Sequence, residues 1–250
     1  MKGINPQGAE AVLATENVRT EEGRVFFSYR HGIDLRPIAV DETGVFFIGK
    51  RFDKYGFPIS LYGSGVSNLL GSLSPEVRFA LIDGKPYEVS AFIPGSRIAT
   101  VEDMRRDGQP ILVPRILTIY VEPEYRDSLE FMDTDINRAN FLVDEQGRMH
   151  QIDLGFGIPH FTDAVAKHLK DWNISADPQN PTVSQQLRKL NDFDPELISH
   201  LQTEAIDVCP ETTEKVRHDL LWSYHNAERM LRELNRLQLA MTDYLERRER

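Results

Sequence analysis

The spacing of apolar residues changes character once along this chain, and that change limits the fold more than any other feature. Between Gly23 and Gly95 the runs "RVFFSYR", "LRPIAV" and "VFFIGKRF" are rich in aromatic and β-branched residues, with the turn-like "HGID" and "DETG" between them. Three antiparallel strands are expected there. "VRFALI" and "PYEVSAFI", joined through Asp83-Gly84-Lys85, predict a further hairpin that ends at "PGSR". Between the two groups, residues 60–73, "SLYGSGVSNLLGSL", carry leucine and valine at helical spacing despite Gly63 and Gly65. From Phe161 onward the period is helical throughout, with Thr162, Thr182 and Asp194 as expected caps. An apolar stripe through Val216, Leu220, Tyr224, Ala227, Leu231, Leu234, Met241 and Leu245 predicts a long helix over 211–247. The pattern is that of an α+β protein. Residues 1–22 form an arm, 23–95 a five-stranded antiparallel half with one helix, and 96–250 a mainly helical half.

One hairpin interrupts the helical half. In "DTDINRANFLVDEQGRMHQIDLGFG", Asp133 to Gly157, two short apolar strands flank Asp144-Glu145-Gln146-Gly147. Folding about that turn brings Asn140, at the entry of the first strand, beside Asp153, at the exit of the second. Asp135, five residues before Asn140, reaches the same volume through a loop. Two carboxylates and an amide oxygen are hard donors of the kind Mg²⁺ accepts, usually together with phosphate oxygens and water.

Composition removes several classes of function. The net charge of −10, with no basic run, argues against broad nucleic-acid binding, which needs clustered Lys and Arg. Apolar runs are short, so no membrane span is expected, and the polar first residues lack the apolar core of a signal peptide. Cys209 is the single cysteine, which excludes an internal disulfide and a cysteine-rich zinc site. The seven histidines form no HxxxH or HxH pair, against a zinc enzyme. A cytoplasmic protein is expected.

A β-rich first half, a crossing near Phe92–Gly95 and a helical second half containing D-x₄-N-x₁₂-D-L-G together resemble the protein-kinase-like superfamily. The resemblance covers most of the chain. It implies a bilobal fold with a five-stranded antiparallel N-lobe and a reduced helical C-lobe, whose catalytic loop is 133–140 and whose D-L-G is 153–155. By the same match, Asp135 orients or accepts the proton of the attacking hydroxyl, and Asn140 and Asp153 hold Mg²⁺ on the phosphates of ATP. Lys50 shares one strand face with Phe46 and Ile48 and matches the lysine that reaches the phosphates. Gly32, in the turn Arg30-His31-Gly32, falls where the phosphate-covering loop lies. Residues 90–94 match the hinge, with Ala91 and Ile93 offering backbone groups to adenine.

Three departures set the chain apart from ordinary protein kinases. The helix at 60–73 carries no acid to pair with Lys50, leaving Asp53 or Glu88 as substitutes. Asp133 stands in place of the histidine of H-R-D, and Asn137 in place of the following lysine. After Asp153 only "LGFGIPHF" precedes the next helix, too short for a phosphorylated activation loop. In these respects the chain is similar to divergent branches: phosphoinositide-kinase-like enzymes, HipA-type kinases and compact bacterial effector kinases.

The function this implies is that of an atypical kinase, moving the γ-phosphate of ATP to a hydroxyl, with Ser, Thr or Tyr of a protein preferred as acceptor. A pseudokinase scaffold, an AMP transferase on the same metal ligands, and a lipid or small-molecule kinase stay open. So does a partner protein docking on the C-terminal helices. For an effector, cytoplasmic includes the host cytosol.

Overall fold

In the computed structural model the described residues are 2–3, 18–21, 24–29, 34–51, 56–82, 84–117, 131–132, 136–154, 160–192 and 232–241. The first half is built on β1 (Lys2–Gly3), β2 (Val18–Glu21), β3 (Arg24–Tyr29), β4 (Asp34–Val40), β5 (Phe46–Arg51), β6 (Val77–Ile82) and β7 (Lys85–Ala91). They form one antiparallel sheet in the order β2-β3-β4-β5-β7-β6, with β1 pairing with β4. The five strands read from the sequence are all present. Two more come from the stretch read as an arm, where "VRTE" pairs with β3 and "KG" with β4.

Turn chemistry sets the register of this sheet. Ile82 pairs with Lys85, so Lys85 belongs to the strand, and Gly84 at φ 77° supplies the left-handed position of a two-residue loop. At the β4–β5 turn, the Asp41 carboxylate accepts the amides of Thr43 and Val45.

Helix α1 covers Gly56–Leu69, four residues earlier than the expected 60–73 at each end. Its end has a physical cause. Gly71, at φ 85°, donates to the Asn68 carbonyl while Ser72 donates to that of Ser67, the paired bonds of a glycine-terminated helix. The chain beyond runs on to place Leu73 beside His150, with the Gln151 amide donating to the Leu73 carbonyl.

The second half contains β8 (Arg97–Ile98), α2 (Val101–Asp107), a 3₁₀ turn at Gln109–Ile111, α3 (Leu112–Leu117), β9 (Phe131–Met132), a 3₁₀ turn at Arg138–Asn140, β10 (Phe141–Val143), β11 (Met149–Gln151), β12 (His160–Phe161), α4 (Thr162–Asp171) and α5 (Pro181–Asp192). Residues 232–241 form a further helix, α6. The remainder of the expected helix over 211–247 and the Asp194 cap lie outside the described residues. Thr162, expected as a cap, is the first residue of α4 itself, and α5 is capped by Asn180, whose side-chain oxygen accepts the Thr182 amide, with Pro181 in the first turn. Thr182 is thus inside the helix it was expected to cap.

The largest core lies in this half. Phe141, Val143 and Met149 of the hairpin pack with Val66 of α1 and Leu70 just beyond it, Met104 of α2, Leu112, Val113 and Ile116 around α3, and Leu234 and Leu237 of α6. Phe141 and Trp172 meet edge to face with centroids 6.4 Å apart. Burial of this apolar surface fixes the hairpin against helices from both sides, and the hairpin ends become rigid supports.

Candidate active site

β5 carries Lys50, and its neighbours build outward from strand register. Lys50 pairs with Glu88 on β7, so the two side chains share one face of the sheet about 5 Å apart at Cβ. Ile38 pairs with Ile48, and the same register continued by two residues brings Arg36 beside Lys50 from β4. One residue pair along, Ser90 lies between the apolar Ile48 and Val77 in a row on the same face. All of these except Ile38 line a cavity of about 470 Å³ between the sheet and the hairpin.

The hairpin closes the other side. Phe141 pairs with Gln151, and the Ile152 amide donates to the Asn140 carbonyl at 2.9 Å, which sets Asn140 directly beside the start of the Asp153 segment. Asn140 is buried and lines the cavity together with Asp153. Asp153 adopts φ 53°, a left-handed conformation unusual for a residue with a side chain. Its Oδ1 lies 2.7 Å from the Lys50 Nζ, a pair about 40% exposed at each side chain.

Two buried groups brace this arrangement. Arg115 of α3 has no exposed surface; its guanidinium donates to the Ile152 carbonyl at 2.9 Å and to the Asp153 carbonyl at 3.3 Å. The same group lies 5.6 Å from the centre of the Phe141 ring. From α1, Ser60 Oγ donates to the Leu154 carbonyl at 2.6 Å. The backbone of residues 152–154 is thus held from two helices.

The charges are strongly coupled. Burial pushes the Glu88 carboxyl up to about 7, although Lys50 opposes the shift. Burial also works against the Lys50 ammonium, but Asp153 and Glu88 outweigh it and hold its pKa above the ordinary lysine value. For Asp153, burial favours the neutral form, while Lys50, Arg36 and Arg115 together keep the carboxyl below its usual range. Asp153 is therefore the ionised acid open to the cavity and Glu88 the enclosed one.

Of the site residues read from the sequence, Lys50, Ala91, Ile93, Asn140 and Asp153 line this one cavity. Asp135, Gly32 and the alternative acid Asp53 lie outside the described residues. The Ala91 amide donates to the Glu76 carbonyl at 2.9 Å. Arg36, Ser60 and Arg115 were not singled out by sequence reasoning. Arg115 alone left a signal, a single charge inside the apolar run "ILVPRIL".

Asn140 and Asp153 present two oxygen donors on adjacent backbone. Among the described residues no group of three His, Cys, Asp or Glu gathers as a self-sufficient metal site. A two-donor site completed by phosphate and water suits Mg²⁺ and not a dedicated protein cage. The residues present fit a metal-nucleotide.

No family model matches this chain, and no curated protein matches it. Among solved structures it is similar to a Helicobacter pylori proinflammatory kinase, CtkA, with TM-score 0.45 and 13% identity over 92% of this chain and 96% of that one. It is also similar to LicA in complex with AMP, with TM-score 0.36, 13% identity and coverage of 95% and 96%. The choline kinase LicA from Streptococcus pneumoniae gives TM-score 0.34, 14% identity and coverage of 95% and 97%.

Proposed function

We infer that this chain is an ATP- and Mg²⁺-dependent phosphotransferase. One observation carries the reading: the 2.7 Å pair between Lys50 on the sheet and Asp153 at the hairpin exit, over a cavity that Asn140 also lines. A phosphate-binding cation and a metal-binding carboxylate, 103 residues apart in sequence, converge where a nucleotide's phosphates fit. The apolar row of Ile48 and Val77 and the segment 91–93 offer the base a surface. Bound Mg²⁺ would neutralise phosphate charge; Asn140 and Asp153 would hold it, and Lys50 would contact the phosphate oxygens. Chemistry of this kind needs positioning and charge more than covalent catalysis, which suits a site braced through Arg115 and Ser60.

Asp135 is the proposed base, and a protein hydroxyl the proposed acceptor. The acidic balance of the chain supports that choice over a polyphosphoinositide, which would call for several Lys or Arg. The single cysteine fits a reducing, cytoplasmic setting, and among the described residues no helix is long and apolar enough to cross a membrane.

The test is incubation of wild type with γ-labelled and, separately, α-labelled ATP plus Mg²⁺ and a protein extract as acceptor. Label transferred from the γ position alone is expected. Label from the α position identifies AMP transfer, and ATP binding without transfer identifies a binding module.

A further inference from the structure

The phosphotransferase reading leaves one carboxylate without a task. Glu88 lies opposite Lys50 in strand register, lines the same cavity and is only 5% exposed. Phe79 pairs with Glu88 from β6 and meets Phe57 of α1 edge to face, at 6.0 Å between centroids. Such enclosure is costly for an acid unless a charge partner is at hand.

Helix α1 supplies no acid. Its sequence, "GFPISLYGSGVSNL", has neither Asp nor Glu, and the residue it turns into the cavity, Ser60, gives its proton to the Leu154 carbonyl. The acids lining the cavity among the described residues are therefore Asp153 and Glu88, and they differ in access. Asp153 is 40% exposed at the side chain, whereas Glu88, on the same cavity wall, is 5% exposed and stands opposite Lys50 in strand register.

Lys50 now bonds Asp153, but a cation at Asp153 and Asn140 would compete for the same carboxylate oxygens. We propose that Lys50 then exchanges partners, releasing Asp153 to the metal and pairing across the strands with Glu88, so that Glu88 is the positioning residue that holds Lys50 against the phosphates. No bond to substrate is made by Glu88. The acid that orients the lysine has come from the neighbouring strand and not from the helix, which frees α1 to grip Leu154 instead. This proposal rests on the phosphotransferase reading for the identity of the ligand.

Calorimetric titration of wild type, Glu88→Gln and Glu88→Asp with Mg·ATP and with adenosine tests it. Glu88→Gln keeps the shape and removes the charge. It is expected to weaken Mg·ATP about tenfold or more, the scale of a lost charge-assisted contact, with adenosine affinity unchanged and Glu88→Asp recovering part of the loss. Should Glu88→Gln fail to fold, the same two ligands are compared on Glu88→Asp, with a several-fold loss expected for Mg·ATP alone. Equal losses for both ligands would mean a merely structural role, and an unchanged Mg·ATP affinity would mean no role; either overturns the proposal. If wild type binds no Mg·ATP, the phosphotransferase reading falls and takes the proposal with it, whereas an unchanged Glu88→Gln beside a binding wild type removes the proposal alone.

Discussion

Arg115 and Asp153 are joined through backbone: the guanidinium of the one donates to the carbonyl of the other at 3.3 Å and to that of Ile152 at 2.9 Å. An arginine with no exposed surface therefore fixes the peptide groups on either side of a residue in the left-handed region. Arg115→Met keeps much of the volume and removes both donors. It is expected to cost about 3 kcal/mol in urea denaturation, the scale of a broken buried polar contact, with Arg115→Lys losing less.

Lys50 behaves in the opposite way. Its pair with Asp153 is about 40% exposed on both sides, and exposed ion pairs contribute little to stability. Lys50→Ala should cost less stability than Arg115→Met while lowering phosphotransfer at least about 10²-fold, because the lost cation acts on developing phosphate charge. Parallel denaturation and labelled-ATP assays separate the two effects.

Glu88 gives the fold a pH dependence with a definite sign. Its carboxyl is raised from 4.5 to about 7, so the folded state holds a proton that the unfolded state has already lost across that interval. Stability contributed by the neutral form is fully present near pH 4.5 and is lost as pH rises through about 7. Up to about 3 kcal/mol is at stake from the size of the shift. Urea denaturation from pH 5 to 8 should show this decline in wild type and a shallower one in Glu88→Gln.

At the entry to the helical half, Thr100 and Asp103 cap α2 reciprocally: the Thr100 hydroxyl accepts the Asp103 amide at 3.1 Å, and the Asp103 carboxylate accepts the Thr100 amide at 2.7 Å. Thr100→Ala should destabilise the protein by about 1 kcal/mol in the same denaturation assay. Asp103 also accepts from both terminal nitrogens of Arg97, which lines the cavity. A measurable loss of nucleotide affinity in Asp103→Ala should therefore accompany its loss of stability.

How much of this was legible in the sequence follows from the range of the forces involved. The turn at Gly84 is local chemistry, and so is the hairpin turn that brings Asn140 beside the segment of Asp153. Both could be read residue by residue. β2 could not, because "VRTE" has no apolar alternation and becomes a strand only through its pairing with β3. The cap of α5 was misplaced by two residues because Asn180 and Thr182 are both good caps, and the proline between them decides. Glu88 was named only as one of two substitutes, since its place opposite Lys50 follows from the pairing of β5 with β7. Arg115 stayed hidden for the same reason, as its partners are carbonyl oxygens formed by the far end of the hairpin.

The most direct test is the transfer of γ-label from ATP in the presence of Mg²⁺, comparing wild type with Asp153→Ala and Asn140→Ala at matched folded concentration. Magnesium-dependent transfer by wild type, reduced at least about 10²-fold in Asp153→Ala and clearly lowered in Asn140→Ala, is the expected result. Equal transfer by wild type and Asp153→Ala, or transfer indifferent to magnesium, would contradict a phosphotransferase centred on Lys50, Asn140 and Asp153.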